Sequence, residues 1–440
     1  SAYSQLRFYG LTKRKVGKII RRASLKFGGP DIEIPIAADL LKVDGVPQRD
    51  TEVSYYSREF PLESFSITQS ASAVWAQKER AEHTPETEEL YRDYQKKITP
   101  WINKIKRSGE RVPNVSSQTE NATKVIRDKA KELGYSEIGF TKFDRRYIYQ
   151  SRKSFVRNDL PNVICLAYEQ EYIETQNIPS YSSEIAQGDA YLTQADLSLK
   201  LAYFINELGF SAQISGPAWH FGPMIPMFVE AGLGQLGVNG QLLSPHFGSR
   251  ARLQLIITDA HLDYDSPIDY GMYKFCELCQ VCFMRCPGKA IQSQRVWFRG
   301  VEKNKLIAKR CRPVMARYSG CGICMKVCPI QKYGMQPVME HYVETGEVLG
   351  KGTDDLESYE LENKGYFRSG KVPVFDRDFF DMPEGRTEHN LVEEFKDNLM
   401  NMKNLDKQSE YELYLEFKNA LDSSKTGKGE VVDMGMDMEF

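Results

Sequence analysis

Nine cysteines occur in 440 residues, and eight of them fall in the 53 residues from Cys276 to Cys328. Four sit in "CELCQVCFMRCPGKAI" as Cys276, Cys279, Cys282 and Cys286, with Pro287 directly behind. Cys311 follows, and then "CGICMKVCPI" supplies Cys321, Cys324 and Cys328, again closed by a proline, Pro329. Thiolates are soft ligands, so a dense run of them is first a metal question. A disulfide framework belongs to small secreted chains, and nine cysteines in a chain this long are too sparse for one. Zinc ribbons use two separated C-x2-C pairs, not a C-x2-C-x2-C-x3-C-P run answered by C-x2-C-x3-C-P.

The spacing fits two 4Fe–4S clusters. In the two-cluster pattern of bacterial ferredoxins, three cysteines at intervals of three bind one cluster and the fourth crosses to the other. That rule assigns Cys276, Cys279, Cys282 and Cys328 to cluster 1, and Cys286, Cys311, Cys321 and Cys324 to cluster 2. Nine residues separate Cys311 from Cys321, where a ferredoxin has two, so this ligand is expected from a longer excursion. Cys165, alone in the apolar run "NVICLAY", reads as a buried structural thiol.

The elements that must position such clusters come from the rest of the chain. At 50.4 kDa it can bury one large core or two smaller ones. Residues 1–118 are polar and irregular and read as a wrapping segment. Residues 119–270 read as a layered α+β unit. In "TENATKVIRDKAKELGYSEIGF" an amphipathic helix ends at Gly134 and leads to a strand; "DLSLKLAYFINELGFSAQIS" repeats the device at Gly209. "LPNVICLAY" and "RLQLIITD" supply further apolar strands. Residues 271–345 hold the cysteine unit, and 346–440 form a tail expected to pack back on the core.

A formal charge of −2 gives no electrostatic case for nucleic acid or an anionic membrane. No apolar stretch approaches the roughly 20 residues that span a bilayer. "IIRRASLKFGG" has a passing likeness to a twin-arginine export signal, but "PDIEIPIAADLLKVDG" follows where an apolar run is needed. A cytoplasmic location is therefore expected, the alternative being an exported form whose twin-arginine signal has been removed.

Clusters move single electrons, and a pure carrier has no need of the residues that precede them. Five glycines in "GLGQLGVNGQLLSPHFG" (Gly232, Gly234, Gly237, Gly240 and Gly248) suggest backbone amides approaching a large flat cofactor. "GLGQLG" matches a dinucleotide fingerprint only in its letters, since a helical run and not a strand precedes it.

Taken together, "EAGLGQLGVNGQLLSPHFGSRARLQLIITD", the first cysteine run and "CGICMKVCPI" resemble the cobalamin-dependent reductive dehalogenases, over about residues 120–350. "YGMQPVMEHYVETGEVLGKGTDDLE" is similar to their soluble, catabolic branch, and the epoxyqueuosine reductases share the layout more distantly. The resemblance implies a nitroreductase-like cobalamin-binding domain followed by a bacterial-ferredoxin-like domain with two 4Fe–4S clusters. It implies a base-off corrinoid, and "DAHLDYD" indeed lacks the glycine of a D-x-H-x-x-G histidine-ligand motif. An open cobalt face would then serve Co(I) chemistry, for which cluster potentials reaching roughly −700 mV are suited. Whether cobalt contacts the halogen or passes an electron stays open.

The implied reaction replaces carbon–halogen by carbon–hydrogen in a small organohalide, a halogenated aromatic or phenol being favoured. The implied proton donor is Tyr191, at the helix start "QGDAYLTQADLSLKLAYF", with Arg250 of "HFGSRAR" as its cation; Arg252 is the alternative. Trp219 and His220 stand where the family places a substrate-pocket residue, and His220 either anchors a phenolate or caps the loop. His246 reads as a loop residue. With no cysteine after Cys328, a fused ferredoxin module is not expected, so the implied partner is a separate donor such as a ferredoxin or flavodoxin with its reductase. A homodimer is the candidate oligomer. The competing functions are an epoxyqueuosine-reductase-like activity on another substrate and a cluster protein that transfers electrons without cobalamin.

Overall fold

A computed structural model describes residues 85–114, 122–148, 154–217, 219–298, 301–380 and 412. The expectations for residues 1–84, including the arginine pair at Arg21 and Arg22, and for nearly all of 381–440 lie outside the described residues.

Helix α1 (Pro85–Lys106) precedes α2 (Ala122–Leu133), strand β1 (Glu137–Lys142) and β2 (Asn162–Glu169). A short α3 (Tyr172–Gln176) leads to the long α4 (Tyr181–Glu207) and then β3 (Ala212–Ser215). After α5 (Ile225–Glu230) come β4 (Gln235–Leu236), β5 (Leu242–Leu243) and β6 (Ala251–Thr258). The four apolar runs form one sheet, ordered β1-β2-β6-β3, and each neighbouring pair is antiparallel. An antiparallel sheet with helices on its faces is the α+β class expected from the sequence.

Period-two alternation divides the sheet between two cores. Ile164, Leu166 and Ile256 face α1, α2 and α4, where Ile98, Ile105, Ile126 and Ile205 are buried. Val163, Cys165, Leu255 and Ile257 face α5, with Phe228 and Val229. Cys165 has no exposed surface, and stands between Gly139 and Leu255 in register. The α1 helix thus belongs to the sheet's core, although the sequence reading placed it with the wrapping segment.

Both expected glycine stops form. Gly134 and Gly209 follow α2 and α4 at φ +103° and +95°, where a side chain is strained. Helix α4 starts at a reciprocal cap, in which Ser180 and Ser183 each accept the other's amide. It buries residues around its whole circumference, as a helix enclosed by other elements must.

The cysteine unit comprises α6 (Met272–Cys279), α7 (Val281–Arg285), the hairpin β7 (Ile291–Phe298) and β8 (Val301–Leu306), then α8 (Ala308–Arg317). It continues through α9 (Ile323–Lys326), α10 (Pro329–Tyr333) and α11 (Met335–Thr345). The hairpin fills the interval between Cys286 and Cys311, so Cys311 arrives on α8. The unit's core joins Phe275, Val281, Ile323 and Ile330 to Val238 and Leu243 upstream and to Leu356, Tyr359 and Leu361 downstream. The described part of the tail, 346–380, therefore packs against the cysteine unit. Arg285, 1% exposed, fastens it: its guanidinium donates to the carbonyls of Glu357 (2.9 Å) and Lys371 (2.6 Å) and lies over the Tyr359 ring. Among the described residues no helix is long and apolar enough to cross a membrane.

Candidate redox site

The thiols act on one another through their fields. Burial first, and then the neighbouring Cys279, Cys328, Cys276 and Cys324, push the Cys282 thiol far up from its ordinary value. Burial and then Cys276 and Cys328 raise Cys279, and Cys328 is pushed up to about 12 by burial, with Cys276 and Cys324 adding to it. Cys321 rises through burial, with Cys324 and Cys286 adding to it; Cys324 is pushed up to about 12 by burial and Cys286. Cys276, Cys279, Cys282 and Cys328 thus lie near one another, as do Cys286, Cys321 and Cys324, and Cys324 adjoins both sets. Cys311 packs half-buried against the same core.

Amide donors aim at these sulfurs. Ala290 N–H reaches Cys286 Sγ at 3.2 Å, and the amides of Val238, Val281, Ile323 and Gln331 lower the pKa values of Cys276, Cys279, Cys321 and Cys328 against the effect of burial. Such donors favour thiolates over thiols, and amide-to-sulfur bonds are a lever that tunes iron–sulfur centres. The donor set therefore fits two clusters. Among the described residues no three thiols, imidazoles or carboxylates converge as a single-ion site requires.

Tyr191 lies in the third turn of α4, 9% exposed. The cation on it is Arg252, not Arg250. Arg252 Nη1 donates to the Tyr191 hydroxyl at 2.9 Å, and the guanidinium sits 4.4 Å from the ring centroid. Arg250 is engaged elsewhere: Nη1 pairs with Glu169 and donates to the Gln170 carbonyl at 3.0 Å, and the group lies over Tyr172. The physical reason is the strand. Arg252 is within β6, on the face of Gln254 and Ile256 that α4 covers, whereas Arg250 precedes the strand and turns toward the end of β2.

Two cavities flank the start of α4. One, of about 60 Å³ and open to solvent, is lined by Tyr94, Lys97, Glu184, Gln187, Gly188 and Tyr191. The other, of about 40 Å³, runs between Gln170, Glu174, Ser183 and Gln187 on one side and Gly320 and Cys321 on the other. Both include Gln187. The second abuts Cys321, an expected ligand of cluster 2, and contains Glu174 Oε2, which is buried without a hydrogen-bond partner. No histidine lines either cavity. The orphaned Glu174 acceptor suits the amide-bearing rim of a corrinoid.

Four of the five glycines of the stretch are pressed against other parts of the chain. A Cβ on Gly248 would stand 2.5 Å from Gln331 Cα, and one on Gly234 2.5 Å from the Leu243 carbonyl oxygen. Gly232 meets the Ser266 carbonyl just as closely, and Gly237 meets the Asn239 side chain at 2.7 Å. These four are small because chain packs on chain; only Gly240 of the five faces open space. The β4–β5 hairpin they shape clasps the cysteine unit, with Asn239 donating to the Cys324 carbonyl at 3.3 Å.

Trp219 and His220 line neither cavity. The loop after β3 closes on itself through Gly216 N–H and the Trp219 carbonyl, and carries Trp219 edge-on to Phe155 with Lys106 over its ring. His220 is buried beside Gly216. His246, largely exposed, approaches Glu137 at 3.4 Å, and His261 lies edge-on to Phe210. The sequence reading missed Gln170; its one signal is that it directly follows an apolar strand.

No protein-family model matches this chain. Tetrachloroethene reductive dehalogenase of Desulfitobacterium hafniense is 27% identical over 270 residues, which cover 48% of this chain and 48% of that protein. The chain thus spans about half the length of the curated relatives it matches. An epoxyqueuosine reductase from Synechococcus sp. (strain RCC307) is 31% identical over 140 residues, 30% of this chain and 41% of that one. A solved structure described as a reductive dehalogenase that suggests a mechanism for B12-dependent dehalogenation superposes with a TM-score of 0.61 at 18% identity, over 76% of this chain and 54% of the other. A catabolic reductive dehalogenase in complex with 3-bromo-4-hydroxybenzoic acid gives 0.57 at 21%, over 69% and 47%. Reductive dehalogenases are therefore homologues of this chain, and the fold is theirs.

Proposed function

We propose, from this homology, that the chain carries out reductive dehalogenation of a small organohalide, with a halogenated phenol or aromatic as the substrate class. The observation that carries the reading is the Arg252–Tyr191 hydrogen bond at the edge of a cavity, on the helix whose other side meets the Cys321 loop. When bound, the two clusters supply single electrons and the corrinoid supplies a reduced metal centre that breaks the carbon–halogen bond. Glu174, Ser183, Gln187 and Met325 would meet the edge of the corrinoid, and the eight cysteines would hold the clusters.

In the net change the halide leaves with the bonding pair, two electrons enter from an external one-electron donor, and carbon takes one proton. Tyr191 supplies that proton. Its oxygen accepts from Arg252, so the phenolic hydrogen is not consumed by that bond. As the proton leaves, the negative charge forms beside a fixed cation inside a largely buried site, where preorganised charge is most effective.

The test is anaerobic reconstitution with iron, sulfide and hydroxocobalamin, followed by a strong chemical reductant and 3-bromo-4-hydroxybenzoic acid. Bromide release with a corrinoid spectrum retained after gel filtration is expected. Protein that keeps its iron but retains no corrinoid would remove the reading in favour of an electron-transfer protein.

A further inference from the structure

We infer that Gln170 is a positioning residue for this reaction: its side-chain carbonyl clamps Arg252 so that Nη1 is held on the Tyr191 hydroxyl. The inference rests on the Tyr191–Arg252 reading above. A guanidinium carries donors only, so the amide atom facing it must be oxygen. In that orientation Gln170 Oε1 accepts from Arg252 Nε at 2.8 Å and from Nη2 at 3.0 Å. The guanidinium is planar and rigid, so holding two of its nitrogens fixes the third. That third nitrogen, Nη1, is the one that reaches Tyr191 at 2.9 Å.

The clamp is itself anchored. The Gln170 amide donates to the Arg250 carbonyl at 3.1 Å, and its own carbonyl accepts from Arg250 Nη1 at 3.0 Å. Glu169, one residue earlier, pairs with the same Arg250 and stands opposite Ala251 in the sheet. Arg250 therefore fixes the backbone of Gln170, and the side chain of Gln170 fixes Arg252. This gives each arginine of "SRAR" a distinct task. It also spans the two cavities, since Gln170 lines the one beside Cys321 and Tyr191 lines the other.

The experiment uses the reconstituted full chain and bromide release from 3-bromo-4-hydroxybenzoic acid, with Gln170→Met, Tyr191→Phe and the double variant. Gln170→Met keeps the length and removes the acceptor. Its turnover should fall about 10- to 100-fold with iron and corrinoid content unchanged, since a misplaced group of this kind costs about that much. In the Tyr191→Phe background the same change should add almost nothing, because Gln170 acts through Tyr191. An equal loss in both backgrounds means a general structural role and overturns the inference. So does a wild-type rate in Gln170→Met when Tyr191→Phe is slow, which leaves the Tyr191 reading standing. A Tyr191→Phe variant at full rate, or wild-type protein that releases no bromide, removes that reading and the inference together. If Gln170→Met fails to hold its cofactors, Gln170→Glu decides. It retains an acceptor, so turnover within about threefold of wild type supports the clamp, and a larger loss at full cofactor content sinks it.

Discussion

The cysteine unit draws its sulfurs from one continuous stretch, Cys276 to Cys328, whereas the Tyr191 site takes one side chain from each of three elements distant in sequence. In the first, short helices and tight turns bring ligands three residues apart to one place, and downstream helices return the remaining partners. In the second, the end of β2, the third turn of α4 and the start of β6 must all be placed before Gln170, Tyr191 and Arg252 can meet. Local spacing therefore sets out the proposed metal ligands, and a sheet register assembles the proposed proton-donor site. The glycine stretch belongs with the first region: it shapes the hairpin that holds the cysteine unit against the sheet.

The largest expected effect tests the local half. Cys324→Ala should lose one of the two clusters, so iron falls from about eight to about four per chain, and turnover is abolished. Eight irons retained in that variant would break the ligand assignment. Next is the non-local half. Tyr191→Phe should keep iron and corrinoid but lose about 10²–10⁴ in turnover, the usual worth of a general acid. Arg252→Ala should approach it, while Arg250→Ala should show its main effect as a lowered melting temperature; the reverse ranking would return the role to Arg250.

The hairpin gives a smaller effect, read in stability. Gly248→Ala places a Cβ against the Gln331 backbone at φ +60° and should cost several kcal/mol. Gly240→Ala, at φ +76° with open space, should cost only about 1 kcal/mol. Equal melting temperatures for the two variants would show that contact with the cysteine unit is not what these glycines serve.

The smallest effect is a pH slope. Burial raises the Glu137 carboxyl to about 7, with Glu169 adding to the rise, against a 2.8 Å hydrogen bond from Ser244. The folded protein thus binds this proton more tightly than the unfolded chain does, so this group's contribution to stability falls as pH rises from the ordinary carboxylate range through about 7. Glu137→Gln should flatten that part of a melting-temperature profile. A profile equally steep in the variant would assign the slope elsewhere.

The sequence by itself determined the cysteine spacing, the four strands, the helix stops at Gly134 and Gly209 and the α+β class. Each follows from spacing, hydrophobic period or backbone freedom, which act over a few residues. It also brought Tyr191 forward through family likeness. What it left undecided was a choice between arginines two residues apart, and that choice belongs to the fold. Both point to one face in strand numbering, but Arg250 stands just outside β6, where the end of β2 and Glu169 claim it, while Arg252 stands inside, under α4. Glycines carry no mark of what they approach, so only the packed structure separated chain-to-chain contact from a ligand cradle. Trp219 and His220 were placed by position in the chain, but the loop after β3 turns back through Gly216 and directs them into the core. Tertiary register decided these points because hydrogen bonds between distant elements have no local signature.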